Sequence, residues 1–259
     1  VFKMFMEKNG AIIYDPSGEK TVKSGLCVLI SALNDFLSGA SFASIEKLIR
    51  IPDFFRFIIP DSPDIETAIN AIDDFKLKYL PHSVEHAKNL LERAKKNGDA
   101  KNSKNLEKIF VGFEKTHGAF ENSESASSFL SSLISKSYKY RKFIQSDRED
   151  ARFLQAAEKL SEILRECSSE RFKSLSPDKL QEFALIERFF REGTIYPNRP
   201  ENSIEISGWL ELAWKKEPKL FLIGMNEGFV PGSITGDMFL PDSLRQKIGL
   251  RTNEERFAR

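Results

Sequence analysis

The residues best suited to chemistry are cations interleaved with rings. In SKSYKYRKF, residues 135–143, Lys136, Lys139, Arg141 and Lys142 alternate with Tyr138, Tyr140 and Phe143. Cations bind phosphates and aromatic faces stack on bases, so this composition suits a single nucleic-acid strand. In a helix these side chains point all round the axis, and only part of the set can face one strand. The bland reading is a solvated helix end, where Lys and Arg complement the dipole. A second basic region spans 76–115, with ten basic residues against five acidic ones. There Lys95, Lys96, Lys101 and Lys104 surround Asn97-Gly98, either as a basic loop over a phosphate backbone or as a lysine-rich surface turn.

One carboxylate is oddly placed. In FLIGMNEGFVPG, residues 221–232, the apolar run from Leu220 to Ile223 stops at Gly224, and Glu227 lies on the turn that follows. Ligands of open α/β sheets bind beyond the carboxyl ends of the strands, so Glu227 would border a DNA or nucleotide cleft. Equally, it would cap backbone N–H groups of its own Gly-rich turn.

Two motifs imitate catalytic sites. HSVEH, residues 82–86, matches a zinc-peptidase pattern, but Pro81 and Ser83 place His82 ahead of the helix that would have to carry both ligands. Pro63-Asp64 with Asp74-Phe75-Lys76 fits a nuclease signature whose acids need a β-hairpin to hold Mg²⁺, whereas this segment has helical period throughout. Three histidines and two distant cysteines, Cys27 and Cys167, leave no nucleophile–base arrangement and no metal site. We therefore expect no catalytic residue, cofactor or metal in this chain.

The chain has 259 residues, enough for one large domain or two small ones. With 39 basic and 38 acidic residues, net charge says nothing about nucleic acid, and any basic footprint must be local. The 22 phenylalanines read as core. Sparse cysteine fits a reducing cytoplasm, and no apolar run is long enough to span a bilayer. Val1-Phe2-Lys3 does not read as a secretory leader. The chain begins without Met and stops at Phe257-Ala258-Arg259 in a helical pattern, so a piece of a longer protein is expected.

The elements that position these residues fall into three blocks. Residues 11–18, AIIYDPSG, read as a strand ending in an Asp-Pro-Ser-Gly turn. Helical patterns follow over 25–39, from Ser41 to Ile49, from Ser62-Pro63 past Phe75, and from Ser83 to Asn97-Gly98. They continue from Ser103 to His117, from Ser123 through 129–143, over about 150–172, and from Ser176-Pro177 to Gly193. Residues 194–202 look like a linker. SIEIS (203–207) and KLFLIG (219–224) read as strands, the second as one buried in a parallel sheet, with SLRQKIGL and NEERFAR helical. The expected class is α/β, helix-dominated: a partial parallel sheet formed by the two ends, interrupted by a large all-α insertion.

The C-terminal stretch resembles the second RecA-like domain of UvrD/Rep-type helicases. That family has a Gly-x-x-Glu-Gly-x-x-Pro turn, matched by Gly224, Glu227, Gly228 and Pro231, with Asn226 between. It also has a Glu-Glu-Arg helix start, matched by Glu254, Glu255 and Arg256. Its Thr-x-His-x-x-Lys-Gly-Leu-Glu-Phe motif is degenerate here: around Gly208, Trp209 and Glu211 there is no His and no Lys. No Gly-x-x-x-x-Gly-Lys-Ser/Thr loop occurs either. This combination is similar to AddB-type subunits of helicase–nucleases, PD-(D/E)xK nuclease-family proteins, in which the RecA-like domain often loses its ATPase residues. FASIEKLIRIPDF, residues 42–54, resembles that family's entry into its helical insertion.

The resemblance implies a RecA-like domain over 1–35 and 195–259, with an α-helical insertion over 36–194. It implies a role in DNA repair and recombination. The whole protein would be a subunit of an ATP-dependent exonuclease or helicase. This piece would be inactive alone and would scaffold single-stranded DNA or duplex ends beside a motor or nuclease partner. ATP and Mg²⁺ would belong to the full complex. The rival expectation is a protein-interaction module whose Phe-rich helices dock another subunit without touching DNA.

Overall fold

A computed structural model describes residues 2–39, 41–58, 64–96, 103–141, 143–144, 147–174, 178–196, 198–225 and 240–252. It divides into two compact units, residues 1–206 and 207–259. The boundary expected at residue 35 falls inside a helix of the first unit.

The first unit opens with α1 (Phe2–Lys8), β1 (Ile13–Tyr14) and β2 (Glu19–Lys20). Asp15 ends β1 as expected: its carbonyl accepts from the Gly18 N–H at 3.2 Å and its carboxylate from the Ser17 N–H at 3.0 Å. The helices are α2 (Gly25–Gly39), α3 (Phe42–Ile49), α4 (Pro52–Ile58), α5 (Ile65–Tyr79), α6 (Val84–Lys96) and α7 (Ser103–Glu121). They continue as α8 (Ala126–Tyr140), α9 (Arg148–Cys167), α10 (Glu170–Lys173) and α11 (Lys179–Glu192). The unit closes with β3 (Thr194–Ile195) and β4 (Ile204–Glu205).

The two ends of this unit meet. β1 pairs with β4 in parallel, Ile13 opposite Ile204, across the whole helical excursion. β2 pairs with β3 antiparallel, Glu19 opposite Ile195. The expected linker therefore begins with a strand. Buried Thr21 ties the same ends again: its N–H donates to the Gly193 carbonyl at 3.1 Å, and its hydroxyl shares the Phe190 carbonyl with the Gly193 N–H.

Helix α2 lies at the centre, packed on α3, α9 and α11. Apolar residues at 26, 29, 30, 33, 36 and 37 give it an inward face, and all are buried. The phenylalanines interlock around it. Phe113 meets Phe36 edge-on at 5.2 Å and Phe54 at 5.5 Å, while Phe120 meets Phe129 at 5.3 Å and Phe183 at 6.0 Å. Each fully buried ring contributes about 2 kcal/mol by area. Phe36, Phe42, Phe54, Phe110, Phe113, Phe120, Phe183 and Phe190 are all sealed in this way, so the ring-rich helices spend these residues on the core.

Several boundaries differ from the sequence reading. Pro52 starts α4, because proline suits the first helical position. Asp64 and Asp178 cap α5 and α11, the latter in a capping box with Gln181; Ser62-Pro63 and Ser176-Pro177 lie outside the described residues. Helix α7 runs through Gly118 to Glu121, because burying Phe120 outweighs the cost of about 1 kcal/mol of an internal glycine. The helix expected over 150–172 breaks after Cys167, where Ser169 caps α10. Helix α8 starts beyond Ser123, at Ala126, and stops at Tyr140.

The second unit contains a 3₁₀ turn (Trp209–Trp214) and α12 (Asp242–Lys247). The buried strand expected at 219–224 is absent: residues 219–225 have no regular structure, and Leu220, Phe221, Leu222 and Ile223 are exposed. A run such as LFLI has strand propensity, but a strand exists only where a neighbouring edge takes its N–H and C=O groups. The helix expected at NEERFAR lies outside the described residues.

Candidate nucleic-acid interface

The end of α8 carries the first basic set, and the structure divides its members. Arg141 follows the last helical residue and is pinned from two sides. Its Nη1 donates to Asp53 Oδ2 on α4 at 2.6 Å. Its Nε and Nη2 donate to Asp150 Oδ1 on α9 at 2.9 and 2.7 Å. The guanidinium also lies 4.3 Å from the Phe153 ring centre. Asp150 in turn accepts from the Ile144 N–H at 2.8 Å. That N–H, then the Arg141 guanidinium, hold the Asp150 carboxyl below its ordinary range.

Arg141 thus acts as a bracket between α4 and α9, with three of its five N–H groups given to the two carboxylates.

Lys136 and Lys139 remain exposed on α8, with the Lys136 ammonium 5.7 Å from the Phe57 ring centre. Phe143 is half-buried against the Phe153 ring, with centres 5.9 Å apart, while Lys142 and the side chains of Tyr138 and Tyr140 lie outside the description.

Three members of the second basic set form ion pairs, Lys76, Lys88 and Lys95. Lys95 contacts Glu92 at 2.9 Å and also Glu107. Lys76 holds Glu46 at 2.8 Å, and Lys88 holds Glu114. Lys96 is exposed at the end of α6, and Lys101 lies outside the described residues. Exposed pairs of this kind contribute at most about 1 kcal/mol, so an arriving phosphate can compete for these cations.

In the second unit Gly224 has φ +77°, a conformation suited to glycine. Gly208 precedes the 3₁₀ turn, and its carbonyl accepts from the Glu211 N–H at 3.0 Å. The Glu211 residue is exposed, and the Trp209 side chain lies outside the description. Asn226, Glu227, Gly228, Pro231, Glu254, Glu255 and Arg256 also lie outside the described residues.

The two imitations of catalytic sites each straddle the start of a helix. Asp64 caps α5 and Asp74 lies within it. His82 precedes α6, and its ring is 4.1 Å from that of His86. Among the described residues no group of three or more metal-binding side chains forms. Cys27 and Cys167 are buried, and burial pushes both thiols up, that of Cys167 to about 11, which suits unreactive core residues. No helix among the described residues is long and apolar enough to cross a membrane.

Sequence reasoning missed the carboxylates. Asp53 and Asp150 decide what Arg141 does, yet they stand 88 and 9 positions from it, and no local pattern joins the three.

No family model, curated protein or solved structure matches this chain.

Proposed function

We propose that the chain is a non-catalytic DNA scaffold within an AddB-like helicase–nuclease, guiding single strands or duplex ends during double-strand-break processing beside a motor or nuclease subunit. The observation that carries this reading is the parallel pairing of β1 with β4 across an excursion that is helical between β2 and β3. Such a pair is what a RecA-like sheet interrupted by a helical insertion requires. The degenerate motif at Gly208, Trp209 and Glu211 adds to it. ATP and Mg²⁺ would act elsewhere in the complex. Within this chain, exposed Lys96, Lys136 and Lys139 supply the charge that meets phosphate.

The test is fluorescence anisotropy of a labelled single-stranded oligonucleotide against the chain across a salt series. Binding should weaken steeply with salt. Changing Lys96, Lys136 and Lys139 to Ala should lower the log–log salt slope by about 0.7 for each phosphate that is no longer neutralised. Arg141→Ala should reduce stability and leave the salt slope unchanged. Absence of binding at low salt, or a slope indifferent to the three lysines, refutes the DNA path.

A further inference from the structure

A groove of about 510 Å³ opens on the first unit between α2, the C-terminal end of α3, the turn before α2, and the C-terminal end of α11. Its floor is apolar: Val22, Val28, Ala32 and Ile51. Val28 is the anomaly on α2. It is 54% exposed, between buried Cys27 and buried Leu29, on a helix whose other large aliphatic side chains are covered. The rim is basic, with Lys47, Arg50 and Arg191 against the single carboxylate of Asp35.

Two of the rim cations have exposed carboxylate partners, and Arg50 also donates to the Glu46 carbonyl at 2.8 Å. Lys47 meets Asp35 at 2.7 Å and Arg50 meets Asp73 at 2.6 Å, all four side chains at least 40% exposed. Arg191 reaches Glu187 at 3.4 Å, but that carboxylate already accepts from Ser31 and Asn34, both at 2.6 Å. Such surface pairs are weak, and a better-placed carboxylate displaces them at little cost.

We propose that this groove docks an acidic segment of a partner protein, with bulky apolar side chains seated on Val28 and Ile51 and flanking carboxylates on Lys47, Arg50 and Arg191. Charge complementarity selects the occupant: apolar anchors take the floor and carboxylates take the rim. A nucleic-acid strand fits less well, because the lining offers no aromatic ring for stacking. The site is separate from Lys96, Lys136 and Lys139 in sequence and does not depend on the DNA reading.

The experiment pans a displayed library of random short peptides against the full chain, then measures the enriched peptides, fluorescein-labelled, by anisotropy. Enrichment of sequences carrying Asp or Glu beside Leu, Phe or Trp is expected. Lys47→Glu with Arg191→Glu should weaken their binding about tenfold or more, and so should Val28→Asp. These positions are exposed, so circular dichroism melts of the variants should match the parent. No enrichment overturns the proposal. So do enriched peptides that bind the variants equally, or an unlabelled single-stranded oligonucleotide that displaces the peptide at equal concentration.

Discussion

Replacing Glu182 should unlatch α8 from α11. Glu182 lies on α11, is 7% exposed, and points at the N-terminus of α8, 55 residues or more away in sequence. It accepts from the Ala126 N–H at 2.8 Å, the Ser127 N–H at 3.1 Å and the Ser127 hydroxyl. Ser125 supplies the local cap by accepting from the Ser128 N–H at 3.1 Å. The first two donors of α8 thus depend on a distant carboxylate, which also meets the positive end of the helix dipole. Glu182→Ala leaves two buried N–H groups and a hydroxyl unpaired, at about 1–3 kcal/mol for each donor without replacement. Water entering the small space left behind recovers part of this, so a net loss of about 3 kcal/mol is expected. For a unit of this size that lowers the melting midpoint by about 6–12 °C. Ser127→Ala removes only the hydroxyl bond and should cost about 1 kcal/mol. The double variant should cost no more than Glu182→Ala alone, because the hydroxyl has already lost its partner. Urea unfolding followed by circular dichroism at constant m-value measures all three. A Glu182→Ala cost below about 0.5 kcal/mol, or strict additivity with Ser127→Ala, would refute the capping argument.

Two further outcomes test other joints. Gly18 has φ +78°, and a Cβ there would stand 2.6 Å from the Ile195 carbonyl oxygen, so Gly18→Ala should cost at least about 2 kcal/mol. Gly10, at φ +82° with open space around it, should lose only about 1 kcal/mol on the same change; equal costs in urea titrations would remove the close-approach argument. Burial pushes the Glu19 carboxyl up, but Arg152 at 2.9 Å and Lys3 at 3.2 Å outweigh it, and the net shift is downward. A depressed folded value means that the contribution is present above the unfolded value of about 4.3 and is lost as pH falls through the folded one. Glu19→Gln should therefore lower stability at neutral pH and flatten the acid limb of the urea midpoint; parallel acid limbs would refute the assignment.

Much of the first unit was legible because its signals are local. Helix α2 is bounded by Gly39, α6 begins after the Ser83 hydroxyl accepts from the His86 N–H at 3.1 Å, and α11 ends at Gly193. The Ser83 cap is met three residues away, and glycine marks the other two ends, so residue type and spacing suffice to place them. The short strands at 13–14 and 204–205 could also be read, because alternation and turn residues bracket them. Arg141 could not be placed this way. Its sequence neighbours suggested a nucleic-acid contact, while Asp53 and Asp150 made it a bracket between helices.

By itself, the sequence determined a helix-rich chain with strands near residues 13 and 204 and a phenylalanine core. These properties follow from periodicity, caps and composition, which act over one or two turns of chain. Tertiary structure alone decided that Thr21 and Glu182 serve distant helix ends and that the apolar run at 220–223 stays unpaired. Those outcomes depend on which partner arrives from far along the chain. A buried charge or an open strand edge is settled by the group that faces it, and local sequence does not specify that group.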